Sequence, residues 1–386
     1  AARGGGGGAR RAAMAPKDGA KEEEKKKDYS KKHAALFTAL RYDDRVLSKP
    51  GGPKPTLLAN ADFIREAVKH NLWALDHAHE DVLADQSVLA DALAHGLYAL
   101  DFGDKTALIK DHAFMLSAVR KNGKVLQFAD VPLQKDAGIV VAAVMNSGGA
   151  LQFAAEELRN EYDVALEAVK QDGMALEWAS DVLKETAVLV TAAVKQNPAA
   201  LRFAAPALRS DEDFVLGCLK TSYFAMQFAD EKLLASKAFV TRAVRRDGLA
   251  IKYAGPKLRE DKDLLLAAIR QTGAVMAVTP KGLLEDRAFM LRAIKIRGCA
   301  LKHAAEALRS DRSFVLDAAR QKGCCLQFAP EQFLGDREVV LEAMKQDSAS
   351  LQWADTCFWD DAEFLAEADL AAMSLQVREY DQEDYN

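Results

Sequence analysis

The residue types that most often bind metals are concentrated early in the chain. Four of the seven histidines lie near one another, with two carboxylates beside them: His70, His77, His79, His95, Glu80 and Asp81. Imidazole and carboxylate groups are ordinary zinc ligands. His77 and His79, however, are two residues apart, which is about 200° around an unbroken helix, so they cannot both face one ion there. We interpret these histidines as packing residues, and the sequence predicts no metal site.

The sequence contains no recognisable catalytic motif. It has no G-x-S-x-G nucleophile, no phosphate-binding glycine loop and no H-E-x-x-H pair, and its GGGGG run precedes no strand–helix unit. Most Asp and Glu residues stand where helices begin, and a carboxylate pair for acid/base catalysis would need convergence across turns. We therefore expect a protein that is not an enzyme, with no catalytic residues and no cofactor.

Aromatic residues recur in steps of 25 along most of the chain. They could stack on bases, one per step, as in some RNA-binding repeats. They lie, however, between a leucine and an alanine of an apolar pattern, which favours packing in the core. The column consists of Phe128, Phe153, Trp178, Phe203, Phe228, Tyr253, Phe328 and Trp353.

Basic residues between Ser236 and Lys302 form the strongest candidate for a binding surface. This stretch contains 15 Lys or Arg against 6 Asp or Glu, whereas Pro330 to Asn386 contains 3 against 15. We predict that the basic stretch binds an anionic partner, although a solvated face is the simpler interpretation. The candidate residues are Arg242, Arg245, Arg246, Arg270, Arg292 and Lys295, with Arg246, Lys252, Arg297 and Lys302 in support.

The elements that must position these residues follow from a 25-residue repeat. Successive copies start at Asp111, Asp136, Glu161, Thr186, Asp211, Ser236, Asp261, Asp286, Asp311 and Asp336, with looser copies from about Asn60 and Asp85 and a partial one from Asp361. Internal periods of this length are typical of stacked repeat architectures. One copy buries too little apolar surface to fold alone, so neighbouring copies must share faces.

Each copy predicts two short helices and a final turn. Position 1 is usually Asp, a preferred N-cap, and positions 4, 5, 6, 8 and 9 are apolar at helical spacing. Position 8 is usually Ala, and position 10 is basic in nine of ten regular copies, where a cation complements the helix dipole. Glycine at position 13 predicts a left-handed residue that ends the helix. Pro198 at that position predicts a corner that turns differently, and A-L-x-F-A then predicts the second helix.

Strings such as AVKQDGMALEWASDVLKE, from Ala168, resemble tandem repeats catalogued as domain of unknown function 4116. Each family unit spans about two copies, and the resemblance covers roughly Asp111 to Asp361. It implies an all-helical repeat fold and no particular activity. The chain departs from the pattern at Pro198, Tyr223, Val278 and His303, which affects local geometry. Tetratricopeptide and ankyrin units are longer, at about 34 and 33 residues.

The predicted fold is all-α, a right-handed-type α-solenoid of about twelve 25-residue helix-turn-helix repeats. Residues 1–33 are expected to be a disordered N-terminal tail, with Met14 as an alternative start of the natural chain. Residues 34–59 should form a capping helix and a Pro/Gly linker, and 60–360 the repeat array. Residues 361–378 should form a C-terminal capping helix and 379–386 an acidic tail.

Composition adds limits on location. The five cysteines are odd in number and lack C-x2-C pairs, which favours reduced, packed thiols. No apolar run approaches the roughly 18 residues of a membrane helix, and no secretory leader is apparent. We therefore expect an intracellular, cytoplasmic protein without a membrane partner.

The functional prediction is a protein-interaction scaffold whose partner is a protein, with an acidic protein as one candidate. The alternative is a nucleic-acid-binding array that uses the basic stretch 236–302 against phosphates, although the net charge of −5 disfavours general nucleic-acid coating. A third hypothesis is that the acidic terminus contacts the basic stretch, within one molecule or between molecules.

Overall fold

The computed structural model describes residues 33–49 and 52–368, and every regular element in these ranges is helical. The all-α repeat fold is therefore confirmed, with twelve copies of a first helix between Ala61 and Gln346. The predicted N-terminal tail up to residue 32, the end of the C-terminal capping helix and the acidic tail lie outside the described residues. No helix in the described ranges is long and apolar enough to cross a membrane.

Each copy contains three helical segments rather than two helices and a turn. A first α-helix of seven or ten residues leads to a six-residue 3-10 helix, and a short α-helix of mostly four residues follows. The predicted second helix is a 3-10 helix. In most copies the side chain at position 12 caps it by accepting from the N–H of position 14, as Asn122 accepts from Lys124 at 3.1 Å. The 3-10 helix of this copy ends with a hydrogen bond between residues three apart, in which the Ala129 N–H donates to the Leu126 carbonyl at 3.1 Å.

The bounds of the elements repeat along the chain. The first helices are Ala61–His70, Gln86–Ala92, His112–Lys121, Ala137–Asn146, Tyr162–Gln171, Ala187–Gln196, Glu212–Cys218, Lys237–Arg246, Lys262–Gln271, Arg287–Ile296, Arg312–Gln321 and Arg337–Gln346. The 3-10 helices are Leu72–His77, Leu97–Phe102, Gly123–Phe128, Gly148–Phe153, Gly173–Trp178, Pro198–Phe203, Tyr223–Phe228, Gly248–Tyr253, Gly273–Val278, Gly298–His303, Gly323–Phe328 and Ser348–Trp353.

The short helices complete each copy. They are Pro55–Leu58, Glu80–Leu83, Lys105–Leu108, Val131–Gln134, Glu156–Arg159, Asp181–Lys184, Pro206–Arg209, Glu231–Ala235, Pro256–Arg259, Lys281–Leu284, Glu306–Arg309 and Glu331–Leu334. Ala34–Leu40 and the 3-10 helix Asp44–Leu47 precede the first copy, and the 3-10 helix Thr356–Phe358 follows the last.

The first helices form where the sequence pattern predicts them. The Asp111 carboxylate accepts hydrogen bonds from the N–H groups of Ala113 at 2.8 Å and Phe114 at 3.0 Å, which satisfies two of the free donors of the first turn. Positions 4, 5, 8 and 9 are buried in almost every copy. At position 8, Ala143 and Ala168 are fully buried, so the small side chain allows neighbouring helices to approach closely.

The glycines at position 13 are not left-handed, so that prediction is wrong. None of the following has a φ between +20° and +160°: Gly123, Gly148, Gly248, Gly273, Gly298 and Gly323. The residue before them is extended, as at Asn122 with φ −149°. The glycine is required by a close approach instead, because a β-carbon at Gly248 would lie 2.5 Å from the carbonyl oxygen of Ala268 in the next copy.

Pro198 does not change its own corner, so the predicted difference there is also wrong. Asn197 has φ −143° and ψ 112°, close to the −145° and 108° of Asp172 one copy earlier. The first helix of the next copy, Glu212–Cys218, has seven residues instead of ten, and so does Gln86–Ala92, which follows Leu72 at position 13 of an early copy. Leu97 and Tyr223 also occupy position 13, but the first helices that follow them have ten residues. A β-carbon at position 13 therefore does not by itself shorten the next helix.

The described residues pack as two compact units, one ending at Ser180 and the other beginning at Asp181. Within each unit a backbone bond links neighbouring copies, from the N–H of position 20 to the carbonyl of position 24 one copy earlier. Ala155 donates to Gln134 at 3.0 Å in the first unit, and Gly255 donates to Leu234 at 2.7 Å in the second. The 25-residue register continues past residue 180 without interruption, so the sequence pattern alone does not predict this boundary.

Candidate partner-binding surface

Two of the six predicted binding residues are already in ion pairs. Arg242 contacts Glu212 at 2.8 Å and Asp213 at 2.6 Å, both in the preceding copy. Arg292 contacts Asp263, also in the preceding copy, at 3.0 Å. These arginines lie at position 7 of their copies, and the carboxylates on the neighbouring helix offset their charge.

A third predicted residue, Arg246, stabilises the end of a neighbouring helix. Its Nη1 donates to the carbonyl of Leu216 at 2.8 Å. Arg297, expected to support the binding surface, acts in the same way by donating from Nε to the Ile269 carbonyl at 2.7 Å. Cations near helix C-termini satisfy carbonyls that have no partner within the helix. The guanidinium groups of these two residues are therefore occupied by backbone carbonyls.

The other three predicted residues, Arg245, Arg270 and Lys295, are exposed and have no ion-pair partner among the described residues. All three stand at position 10. The two copies before them also carry exposed cations at position 10, Lys195 and Lys220, again without an ion pair in the described part of the chain. We call the set Lys195, Lys220, Arg245, Arg270 and Lys295 the cationic column. The sequence signal for these five residues is the basic residue at position 10, a position that the sequence analysis attributes to complementation of the helix dipole.

The cationic column ends where carboxylates appear at position 7. The next cation at position 10, Arg320, contacts Asp317 at 3.6 Å and Glu342 at 3.3 Å. The one after it, Lys345, contacts Glu342 at 2.6 Å. Both cations are thus neutralised by neighbours, so the exposed positive charge stops after Lys295.

The described residues of the first unit form no comparable column. Its position-10 residues in order are Lys69, Ala94, Arg120, Met145 and Lys170. Lys69 pairs with Glu66 at 2.5 Å and Lys170 with Glu167 at 2.7 Å, in each case three residues earlier on the same helix. Five consecutive exposed and unpaired cations at this position therefore occur, among the described residues, in the second unit.

Small residues occupy five of the ten flanking positions, 3 and 7, beside the cationic column. Ala192, Gly217 and Ala267 occupy position 7 of three column copies, and Ala238 and Ala288 occupy position 3 of the other two. These five residues are exposed or half-buried. The other flanking positions hold larger side chains, namely Val188, Asp213 and Asp263 at position 3 and the paired Arg242 and Arg292 at position 7. The surface beside the cations is therefore low only next to the five small residues.

A second series of cations, at position 2, forms ion pairs with carboxylates of the same chain. Each pairs with the position-1 carboxylate of the next copy: Lys237 with Asp261 at 2.6 Å, Lys262 with Asp286 at 2.5 Å, Arg287 with Asp311 at 2.9 Å, Arg312 with Asp336 at 2.6 Å and Arg337 with Asp361 at 3.5 Å. We call these the cap ion pairs. The cation of the preceding copy holds the pKa of Asp261, Asp286 and Asp336 below the usual value. The sequence pattern predicts these Asp residues as caps but gives no signal for their second partner, the cation one copy earlier.

The early histidines have individual structural roles. His77 Nε2 lies 3.1 Å from the Asp44 carboxylate, and His70 Nδ1 accepts a hydrogen bond from Arg41 Nε at 3.2 Å. Burial is the main cause that lowers the pKa of His70. His79 Nδ1 accepts from the Asp81 N–H at 3.3 Å and so caps a short helix. Across residues 33–49 and 52–368, no three His, Cys, Asp or Glu side chains are placed to hold a metal ion.

The aromatic column and four of the five cysteines belong to the packed interior or its margin, whereas Cys357 is exposed, so the expectation of packed thiols is wrong for that residue. The eight aromatic residues of the column are half-buried, and Phe128 and Trp178 pack against the core of the first unit. All five cysteines are described and unpaired. Burial raises the pKa of Cys218 to about 11 and that of Cys325 to about 12, so both thiols are protonated at neutral pH.

The repeat matches the model of a known protein family. A family model described as a domain of unknown function, DUF4116, matches six overlapping or adjacent segments: 111–154, 138–184, 189–234, 236–278, 286–334 and 311–359. Together they cover more than half of the chain. The chain belongs to this family. No curated protein and no solved structure matches it.

The cationic column lies entirely within the part of the chain that DUF4116 matches. Lys195 and Lys220 fall in segment 189–234, Arg245 and Arg270 in 236–278, and Lys295 in 286–334. The column is thus built on the repeat itself rather than on an insertion. The family description attaches no activity to the repeat.

Proposed function

We propose that the chain is a non-enzymatic repeat scaffold that binds an acidic protein along the cationic column. The observation that carries this proposal is the contrast between position 10 and position 2. The cations at position 2 of five copies are paired with carboxylates, whereas those at position 10 of five consecutive copies are exposed and have no partner in the described residues. Rigid helices hold these charges on one face at regular intervals.

The electrostatics of the column suit reversible recognition. An exposed ion pair contributes about 0.2–1 kcal/mol, so five pairs would contribute roughly 1–5 kcal/mol. Attraction between complementary surfaces chiefly accelerates encounter and selects the partner. Because the charges are exposed, salt should weaken the complex strongly.

The unpaired cysteines support an intracellular, cytoplasmic setting, since the cytosol keeps thiols reduced.

A protein partner is favoured over nucleic acid by the charge of the neighbouring copies. Beyond Lys295 the cations at position 10, Arg320 and Lys345, are paired with carboxylates, so a long polyanion that continued along the helices would meet no unpaired cation at this position. A folded acidic protein or a short acidic segment can end before these carboxylates. The net charge of −5 acts in the same direction.

The experiment compares two variants with equal charge changes. The column variant replaces each cation of the cationic column with Gln: Lys195, Lys220, Arg245, Arg270 and Lys295. The control variant replaces five exposed cations elsewhere with Gln: Arg202, Lys232, Lys257, Lys281 and Lys322. Binding of labelled polyglutamate and of a mixed-sequence single-stranded oligonucleotide is measured at low salt. The proposal expects polyglutamate binding to fall about tenfold or more in the column variant alone.

Two results would contradict the proposal. Equal loss of polyglutamate binding in both variants would mean that net charge, and not the column, determines affinity. Tighter binding of the oligonucleotide than of polyglutamate to the unaltered chain would assign the column to nucleic acid. Circular dichroism and thermal unfolding of both variants establish that they remain folded.

A further inference from the structure

We infer that the cationic column recognises an acidic segment in the polyproline II conformation that carries Asp or Glu at every third residue. This inference rests on the proposed function and specifies the chemistry of the partner. It starts from the spacing of the cations, which the repeat fixes at one per copy from Lys195 to Lys295.

The first helices of neighbouring copies lie side by side in the second unit, as the ion pairs between them demonstrate. Lys237 reaches Asp261 and Lys262 reaches Asp286, each in the next copy along. Packed helices have axes about 8–10 Å apart. Because equivalent positions in adjacent copies carry the column, its cations should recur at about the same interval.

A polyproline II helix has the matching repeat. It advances about 3.1 Å per residue with three residues per turn, so every third side chain returns to the same face after about 9.3 Å. A β-strand does not match, since residues three apart point to opposite faces. An acid at every third residue of a polyproline II segment would therefore meet one column cation per copy.

The surface beside the column favours this occupant over a helical peptide. An amphipathic helix binds by placing an apolar face in a hydrophobic groove. Here the flanking residues include Ala192, Gly217 and Ala267, which provide little apolar surface for such a face. A polyproline II segment needs no such groove, because its backbone is solvated and its bound conformation is common in unfolded chains.

A side chain at position 10 can also reach the neighbouring copy. Arg320, the next residue at position 10, contacts Glu342 in the following copy at 3.3 Å. In that copy the chain itself supplies the carboxylate. Over the five column copies, the carboxylates Glu212, Asp213 and Asp263 pair with Arg242 and Arg292, and no described carboxylate pairs with a column cation. An external acid of suitable spacing would therefore complete the same kind of contact.

The test uses fluorescein-labelled peptides with five glutamates each. One repeats Glu-Pro-Ser five times, and the other repeats Glu-Pro-Ser-Ser five times, so charge is equal and only the interval differs. The second repeat advances about 12.4 Å, and its glutamates move out of step by about 3 Å per copy. We expect the period-three peptide to bind about tenfold tighter to the unaltered chain, since two or three more exposed pairs form.

Both peptides are also measured on the column and control variants. The inference expects the preference for period three to disappear in the column variant and to persist in the control variant. Equal affinities of the two peptides, both dependent on the column, would overturn the spacing inference and leave the proposed function intact. Failure of both peptides and of polyglutamate to bind would overturn the proposed function as well.

A helical peptide tests the opposite hypothesis, that the bound segment is an α-helix. It carries glutamates at every seventh residue of an alanine-rich helix, which returns to one face after about 10.5 Å. Tighter column-dependent binding of this peptide than of the period-three peptide would show that the occupant is helical, and the inference would fail.

Discussion

The carbonyl oxygen of Ala168 lies directly against Gly148, one copy earlier, so closely that a β-carbon on residue 148 would overlap it. The same relationship joins Gly248 to Ala268. Glycine is needed at this position because two backbones approach each other between copies, and no unusual backbone dihedral is involved. The buried alanine and the glycine are therefore two parts of one contact.

Replacing Gly148 with Ala should destabilise the first unit by roughly 2–3 kcal/mol. The added methyl group must displace the backbone of the neighbouring helix, and overpacking of this kind costs about 1–3 kcal/mol. The free energy of unfolding, measured by urea denaturation, checks this value.

Gly149 supplies the matched control. A β-carbon there would meet nothing within 4 Å, so Gly149→Ala should change the unfolding free energy by about 0.5 kcal/mol or less. Gly148→Asn separates the two explanations, since Asn tolerates a left-handed residue. An Asn variant as stable as the unaltered chain would contradict the close-approach account.

Asp286 should contribute to stability in two separable ways. Its carboxylate accepts from the Phe289 N–H at 3.0 Å and also pairs with Lys262. Asp286→Asn retains a good cap and loses the exposed ion pair, so we expect a cost of about 0.5 kcal/mol. Asp286→Ala also loses the cap and should cost about 1 kcal/mol more. Thermal unfolding of both variants measures the difference, and identical melting temperatures would show that the cap contributes nothing.

The cap ion pairs predict a loss of stability in acid. The pKa values of Asp261, Asp286 and Asp336 are lowered in the folded chain, chiefly by the cation of the preceding copy. The unfolded chain therefore binds more protons, and the stabilisation is complete above the unfolded pKa of about 3.9. It decreases as the pH falls through the lower folded values.

Unfolding free energies measured from about pH 5 downward test this dependence. Lys262→Gln should reduce the acid sensitivity, because Asp286 then loses the cation that lowers its pKa. Lys257→Gln removes an exposed lysine with no ion pair among the described residues and should leave the profile unchanged. Parallel profiles for the two variants would count against the role assigned to these pairs.

The sequence predicted the fold because its strongest signals are local. A capping Asp such as Asp111 and an apolar stripe at helical spacing define each first helix without knowledge of its neighbours. Gly148 was misinterpreted because a glycine after a helix usually indicates a left-handed residue, whereas its actual constraint is an atom 20 residues away. Contacts between copies of this kind are visible only once the copies are stacked.

The binding surface was predicted only in part, because the pairing of its cations also depends on contacts between copies. Arg242 and Arg292 appeared to add charge, but their partners Glu212, Asp213 and Asp263 lie one copy earlier in the chain. Lys195 and Lys220 were overlooked because they lie outside the most basic stretch. The relevant property is lack of a partner, which depends on how adjacent helices align and cannot be counted from composition.

The most direct measurement pairs column cations with carboxylates introduced into the chain itself, without removing any cation. Ala192, Gly217 and Ala267 each lie three residues before a column cation, in the relation that joins Glu342 to Lys345 at 2.6 Å. Replacing these three with Glu should pair Lys195, Lys220 and Arg270 internally. A control variant adds the same charge elsewhere, through Gln227→Glu, Gln327→Glu and Gln352→Glu. If unpaired cations bind the partner, polyglutamate affinity falls about tenfold in the first variant and less than about twofold in the control; undiminished affinity in a correctly folded first variant would contradict the account.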